Sequence, residues 1–166
     1  MGSCVPCPTG KWSADASGAQ SSDICTDCGH GRYSFTEGAS SENSCNKCPS
    51  GKFGNKSGST SQAEGCFDCE TGRASASGAV ACSSCAEGTY QNSKGQSGCL
   101  PCVPGKYQDE RNGVVCKLCA KNRFSNDTEM KDCYDCATGR FAGKPGAAQC
   151  ESCPAGRFGD NCENCM

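Results

Sequence analysis

The chain has 166 residues, of which twenty are cysteine, and its formal net charge is -2. Leu, Ile, Val and Phe together number fourteen, too few for a shared apolar core in a chain of this length. Composition therefore excludes a single packed core, and near-neutral charge excludes a strong overall field that would steer nucleic acid or a membrane surface. With a mean hydropathy of -0.60 the chain would be disordered unless cross-links or metals replaced the core. No apolar run approaches the length of a transmembrane helix, so any membrane link would come through flanking regions.

Taken in order, the chain opens Met1-Gly2-Ser3 and runs straight into Cys4, without the charged start and apolar stretch of a secretory signal. Pro6 stands where a myristoylation signal wants Ser or Thr. At the other end Met166 directly follows Cys165. Both ends cut into a repeat, and the chain reads as a segment of a longer protein. Between them Cys-x-x-Cys recurs ten times, beginning at Cys4, Cys25, Cys45, Cys66, Cys82, Cys99, Cys116, Cys133, Cys150 and Cys162. Nine segments join the pairs: three of 16 or 17 residues, five of 12 or 13, and a last one of eight. The lengths divide the chain into three long repeats over 4–69, five short repeats over 70–153, and a partial final repeat over 154–166.

Each segment carries the same marks. At the third position after its opening cysteine stand Gly10, Gly31, Gly51, Gly72, Gly88, Gly105, Gly139 and Gly156, with Asn122 in the seventh segment. Gly and Asn tolerate a left-handed backbone best, so each segment is expected to open with a tight turn at positive φ. Two residues on come Trp12, Tyr33, Phe53, Tyr90, Tyr107, Phe124, Phe141 and Phe158. One aromatic per repeat is expected to lie over a disulfide in place of a core. The fourth segment has Ala74 there, and Phe67 is the nearest residue that could fill the gap. A second Gly often precedes the closing cysteine, as at Gly38, Gly78, Gly95 and Gly146, which marks a second turn. Helical spacing of apolar residues is absent. The expected fold is small, disulfide-rich and β/irregular: an elongated tandem array of about nine short hairpin-like units without a shared hydrophobic core.

Paired cysteines at this spacing suit disulfides, structural zinc or thiol redox chemistry. Pro8, Pro49 and Pro154 directly follow a pair, where a zinc-binding turn commonly uses backbone N–H groups that proline lacks. The lone His30 offers no mixed ligand set, and ten scattered pairs on a strand-poor chain do not make a thioredoxin-like site. Disulfides fit best, with no cofactor and no metal. Closing a loop of this size stabilises by roughly 3 kcal/mol in the chain-entropy model, and such bonds persist in an oxidising compartment. The sequons at Asn55 and Asn126 agree with that compartment.

Counting leaves two connectivities open. In the first, the second cysteine of each pair bonds the first of the next: Cys7–Cys25, Cys28–Cys45, Cys48–Cys66, Cys69–Cys82, Cys85–Cys99, Cys102–Cys116, Cys119–Cys133, Cys136–Cys150 and Cys153–Cys162, leaving Cys4 and Cys165 unpaired. In the second, adjacent pairs cross-bond, as Cys4–Cys25 with Cys7–Cys28, which implies a two-segment period. The Gly and aromatic marks recur from one segment to the next rather than in alternate segments, which favours the first.

Cys48-Pro49-Ser50-Gly51-Lys52-Phe53 and Cys153-Pro154-Ala155-Gly156-Arg157-Phe158, each followed by Cys-x-x-Cys, resemble the cysteine-rich repeats called ephrin type A/B receptor-like. The first module of tumour-necrosis-factor-receptor cysteine-rich domains is similar, and there the bridge spans that same turn. Cys119-Ala120-Lys121-Asn122-Arg123-Phe124 and the Ala74 repeat depart from the pattern, and Gly156 to Cys162 is closer to the end of an EGF-type module. The resemblance implies an extracellular or cell-surface protein without catalysis, whose repeats act as stalk, spacer or interaction surface in adhesion. Its ligand would be a protein or a glycan.

Eight basic residues share one repeat position: Lys11, Arg32, Lys52, Arg73, Lys106, Arg123, Arg140 and Arg157. They either form a ladder for sulfated glycans or point into water beside the aromatic; near-neutral charge favours water. No catalytic constellation is present, since His30 lies in a Gly-flanked turn without a nucleophile partner. Two other readings stand beside the extracellular one: an intracellular multi-zinc module, and a self-assembling subunit of an extracellular filament or matrix.

Overall fold

The computed structural model describes residues 5–15, 22–158 and 162–164. Nine two-stranded antiparallel sheets follow one another along the chain. Each joins the residue pair after a turn to the two residues inside the next Cys-x-x-Cys. Hairpin 1 pairs Lys11–Trp12 with Thr26–Asp27; hairpin 2, Arg32–Tyr33 with Asn46–Lys47; hairpin 3, Lys52–Phe53 with Phe67–Asp68. Hairpin 4 is formed by Arg73–Ala74 and Ser83–Ser84. Hairpin 5 pairs Thr89–Tyr90 with Leu100–Pro101; hairpin 6, Lys106–Tyr107 with Lys117–Leu118; hairpin 7, Arg123–Phe124 with Tyr134–Asp135. Hairpins 8 and 9 pair Arg140–Phe141 with Glu151–Ser152 and Arg157–Phe158 with Glu163–Asn164. The single α-helix among the described residues is one turn, Gln62–Gly65, in the loop of hairpin 3.

Every hairpin opens with the same turn. In hairpin 3 the Lys52 N–H donates to the Pro49 carbonyl at 3.1 Å, and Gly51 between them has φ 83°. Positive φ at the third turn residue is what a type II turn demands. The one non-glycine at this position, Asn122, has φ 62°, the left-handed conformation that Asn adopts at little cost.

The chain forms two compact units, Met1–Ser83 with Lys94–Gly98, and Ser84–Ser93 with Cys99–Met166. Within each, successive hairpins are joined by a recurring set of backbone bonds. The turn glycine donates to the next hairpin: Gly10 N–H to the Ser34 carbonyl at 2.8 Å in the first unit, Gly105 N–H to the Ser125 carbonyl at 2.9 Å in the second. The residue after the aromatic donates onward as well, Ser34 N–H to Ser59 at 3.0 Å and Ser125 N–H to Ala147 at 3.2 Å. The second turn donates back, Gly58 N–H to Cys28 at 2.9 Å and Gly146 N–H to Cys119 at 2.8 Å.

Hairpins also meet their next-but-one neighbours. A Cβ on Gly51 would run into the carbonyl of Gly95, two repeats on, and one on Gly105 into the carbonyl of Gly146. Glycine here serves two needs at once, a left-handed φ and room for a facing backbone. Asn122 stands two repeats before the eight-residue segment, which is too short in sequence to carry a second turn.

The interior is sulfur and small side chains. Cys28, Cys48, Cys69, Cys102 and Cys119 are wholly buried, and so are Ser34, Ser59 and Ser125. The expectation that aromatics replace the core is corrected in detail: Trp12, Tyr33, Phe53, Tyr90, Tyr107, Phe124 and Phe141 are half-buried, and Phe158 has no described side chain. The buried position is the next one along, held by Ser34, Gly54, Ser75, Gln91, Gln108, Ser125 and Ala142. Backbones approach too closely there for a ring. Phe67 does not replace the aromatic missing at Ala74; it sits across from Phe53 with ring centroids 6.0 Å apart.

Buried polar groups in this interior find partners, as they must. Ser125 Oγ accepts from the Gly105 N–H at 2.8 Å and donates to the Lys106 carbonyl at 3.2 Å. Gln108 donates from Nε2 to the Val115 carbonyl at 2.7 Å and accepts from the Glu110 N–H at 3.1 Å. Among the described residues no buried side-chain nitrogen or oxygen lacks a partner.

Candidate functional site

Nine disulfides run through the described residues, one per hairpin: Cys7–Cys25, Cys28–Cys45, Cys48–Cys66, Cys69–Cys82, Cys85–Cys99, Cys102–Cys116, Cys119–Cys133, Cys136–Cys150 and Cys153–Cys162. Their Cα atoms lie between 5.3 Å, in Cys153–Cys162, and 5.8 Å, in Cys28–Cys45 and Cys136–Cys150, within the ordinary span for such a bond. The turn brings this about. It folds the chain back so that the opening cysteine of one hairpin faces the closing one. Cys4 and Cys165 lie outside the described residues. Sulfur bonded to sulfur is not a thiolate ligand, so these cysteines cannot serve the zinc reading while oxidised. Among the described residues no group of three or more His, Cys, Asp or Glu is placed to hold a metal, and no helix is long and apolar enough to cross a membrane.

The basic residues do not all project into water. Lys11 and Lys52 pair with the aspartates directly across the hairpin, Asp27 at 2.7 Å and Asp68 at 2.6 Å. Arg123 meets Asp132 and Asp135, each at 3.0 Å. Arginines also reach the carbonyl of the closing cysteine: Arg32 to Cys45 at 3.1 Å, Arg73 to Cys82 at 3.4 Å, Arg140 to Cys150 at 3.5 Å, and Arg123 to Cys133. The position's first task is thus internal, tying one strand of a hairpin to the other beside its bridge. The signal was present in the sequence, since Asp27, Asp68 and Asp135 each stand directly before a cysteine. Arg157 is exposed at the end of the series.

Electrostatics follow these pairs. Arg123 beside Asp132 holds that carboxyl below its usual range, and Lys117 does the same to Asp109. Glu64 falls furthest, to about 2, because it accepts from Lys56 Nζ at 2.6 Å and from the Thr60 hydroxyl and N–H at 2.7 and 3.2 Å. It is also the third residue after Ser61, the cap of the short helix, whose Oγ accepts the Glu64 N–H at 3.3 Å; the Glu64 carboxylate reaches the Thr60 N–H rather than that of Ser61.

The two sequon asparagines, Asn55 and Asn126, are exposed and occupy equivalent places, each directly after the buried residue of its hairpin. His30 is exposed in the turn of hairpin 2.

Residues 72–114 match the family model described as tyrosine-protein kinase ephrin type A/B receptor-like. No curated protein matches the chain at a significant level. The match begins at the turn glycine of hairpin 4 and ends in the loop of hairpin 6, so it falls on the repeat described above. Together with the bridged cysteines it describes a disulfide-stabilised repeat module, consistent with an extracellular domain of a receptor-like protein. Residues 72–114 match an ephrin receptor-like cysteine-rich segment, and the described residues repeat the same hairpin nine times.

Proposed function

We propose that the chain is the ectodomain part of a secreted or cell-surface protein, serving as a spacer that also presents an interaction surface for adhesion. The observation that carries this is the bond plan. Every hairpin has its own bridge, and backbone bonds join hairpins 1 to 4 in the first unit and 5 to 8 in the second, so the repeats hold a defined surface without a core. Sequence length divides them into long repeats over 4–69, short ones over 70–153 and an EGF-like end over 154–166. Asn55 and Asn126 carry N-linked glycans, supported by their exposure and their matching places in the repeat.

The test is expression through a eukaryotic secretory pathway and, separately, in a reducing cytosol. The secreted form should be oxidised, show protected backbone amides, and lose mass under an N-glycosidase in two steps, one absent in Asn55→Gln and one in Asn126→Gln. A cytosolic form that folds with free thiols and chelatable zinc would overturn the reading.

A further inference from the structure

We propose that the groove between hairpins 7 and 8 binds an anionic saccharide, a pyranose ring bearing a carboxylate or sulfate. The inference rests on the extracellular reading above and gives its interaction surface a ligand class. The groove holds about 340 Å³ and is lined by Phe124, Tyr134, Asp135, Arg140 and Gln149, closed by Ala137 and Cys150. Phe124 and Tyr134 face each other across the hairpin with ring centroids 5.9 Å apart, and Tyr134 is 56% exposed. The result is an aromatic wall open to solvent beside a guanidinium. Few polar groups on an apolar floor are the usual make-up of a small-ligand site, of roughly 300–1,000 Å³.

Charge separates this groove's cation from the paired members of the series. Lys11, Lys52 and Arg123 each face an aspartate across their hairpin and are neutralised by it. Arg140 faces Ser152 instead, and its one polar contact among the described residues is the Cys150 carbonyl at 3.5 Å. Asp135, the acid in the lining, is already paired with Arg123 at 3.0 Å. Arg140 is therefore an exposed cation without an acid partner beside the aromatic wall, and a guanidinium suits a carboxylate or sulfate in two-point contact.

The construction occurs a second time. Between hairpins 5 and 6 a smaller groove of about 160 Å³ is lined by Tyr90, Asn92, Pro101, Val103, Lys106 and Val115. Its cation, Lys106, faces Leu118 rather than an acid. Hairpin 5 backs onto hairpin 7, Gly88 against Glu129, and hairpin 6 onto hairpin 8, Gly105 against Gly146. Both grooves belong to the second unit, each beside one cation of the series. A saccharide fits better than an acidic peptide. The strands are two residues long, too short for a peptide to extend as a further strand, so the occupant is held by side chains alone. A sugar ring offers a C–H face to the aromatics, hydroxyls to Gln149 and Asp135, and an anion to Arg140.

The experiment is a titration of the full oxidised chain, followed by amide NMR. The probes are a hyaluronan tetrasaccharide (carboxylate only), a heparin-derived disaccharide (sulfate), neutral maltotetraose and a hexaglutamate peptide. One or both anionic sugars should move the amides of Phe124, Tyr134, Arg140 and Gln149, and which of them does so names the anion. Arg140→Gln and Tyr134→Ala should each weaken that binding about tenfold, the loss of one charged or stacking contact. Arg140→Lys should keep most of it, and Lys121→Gln, an exposed cation outside the groove, should leave it within about twofold. Each variant is first checked for nine bridges by mass. Four results would overturn the proposal: no response to either anionic sugar at millimolar concentration, an equal response to maltotetraose, an equal response to hexaglutamate, or an equal loss in Lys121→Gln. Any of them in a folded, oxidised chain removes the groove and leaves the spacer reading standing.

Discussion

A paired substitution separates the two tasks of the turn glycine. Gly105 and Gly139 have φ 84° and 81°, so alanine at either carries the same left-handed penalty, roughly 1–2 kcal/mol. Their surroundings differ. A Cβ on Gly105 collides with the Gly146 carbonyl of hairpin 8, whereas one on Gly139 meets nothing within 4 Å. Backbone cannot yield as a side-chain tip can, and such overpacking adds about 1–3 kcal/mol. Gly105→Ala should therefore cost that much more than Gly139→Ala, and the excess should fall on the bonds between hairpins. The reporters are the Gly105 N–H, bonded to Ser125 at 2.9 Å, and the Gly146 N–H, bonded to Cys119 at 2.8 Å. Native-state hydrogen exchange at these two amides should quicken roughly 5- to 150-fold in Gly105→Ala relative to Gly139→Ala. Equal exchange in the two variants would mean that hairpins two apart do not support one another.

Three further outcomes are expected. Ser125→Ala removes a buried hydroxyl that serves two partners, and should cost about 0.5–1.5 kcal/mol in denaturant titration, since the Lys106 carbonyl loses its donor while the Gly105 N–H keeps the Ser125 carbonyl; a neutral effect would deny that the hydroxyl holds hairpins 6 and 7 together. Glu64 is ionised to about pH 2 in the folded chain, below its ordinary 4.5, so what it contributes to stability is present above pH 4.5 and is lost as pH falls towards 2. Lys56→Met should move its NMR titration midpoint up towards the ordinary value, and an unmoved midpoint would remove the ion pair as the cause. Arg123→Gln should likewise raise the Asp132 carboxyl towards its usual range, since that arginine is the main group holding it down.

Repetition made much of the fold readable. Nine segments with Gly or Asn at one position specify nine turns, and Asn122 at φ 62° shows the reasoning holding where the residue changes. The interior was harder to see, because burial was sought among apolar residues. Where backbones of successive hairpins meet, only a small or hydrogen-bonding side chain fits, so Ser34 and Ser125 are buried while Tyr33 and Phe124 beside them are half-exposed. The clue was the run of small or amide residues after each aromatic. Stacking of one hairpin on the next but one was not legible at all. It depends on the rotation between repeats, which backbone hydrogen bonds set and side-chain identity does not record. For the basic series, aligning Lys11 with Asp27 and Lys52 with Asp68 across the hairpin would have separated the neutralised cations from Arg140, which faces Ser152.

The most direct measurement is disulfide mapping of the native chain, by proteolysis without reductant under conditions that block exchange, with an alkylating probe added first. If bridges inside single hairpins give the chain its shape, each cross-linked peptide joins the end of one Cys-x-x-Cys to the start of the next, from Cys7 with Cys25 to Cys153 with Cys162. Crossed links between adjacent pairs, such as Cys7 with Cys28, or probe-labelled cysteines in a chain that still protects its amides, would contradict it.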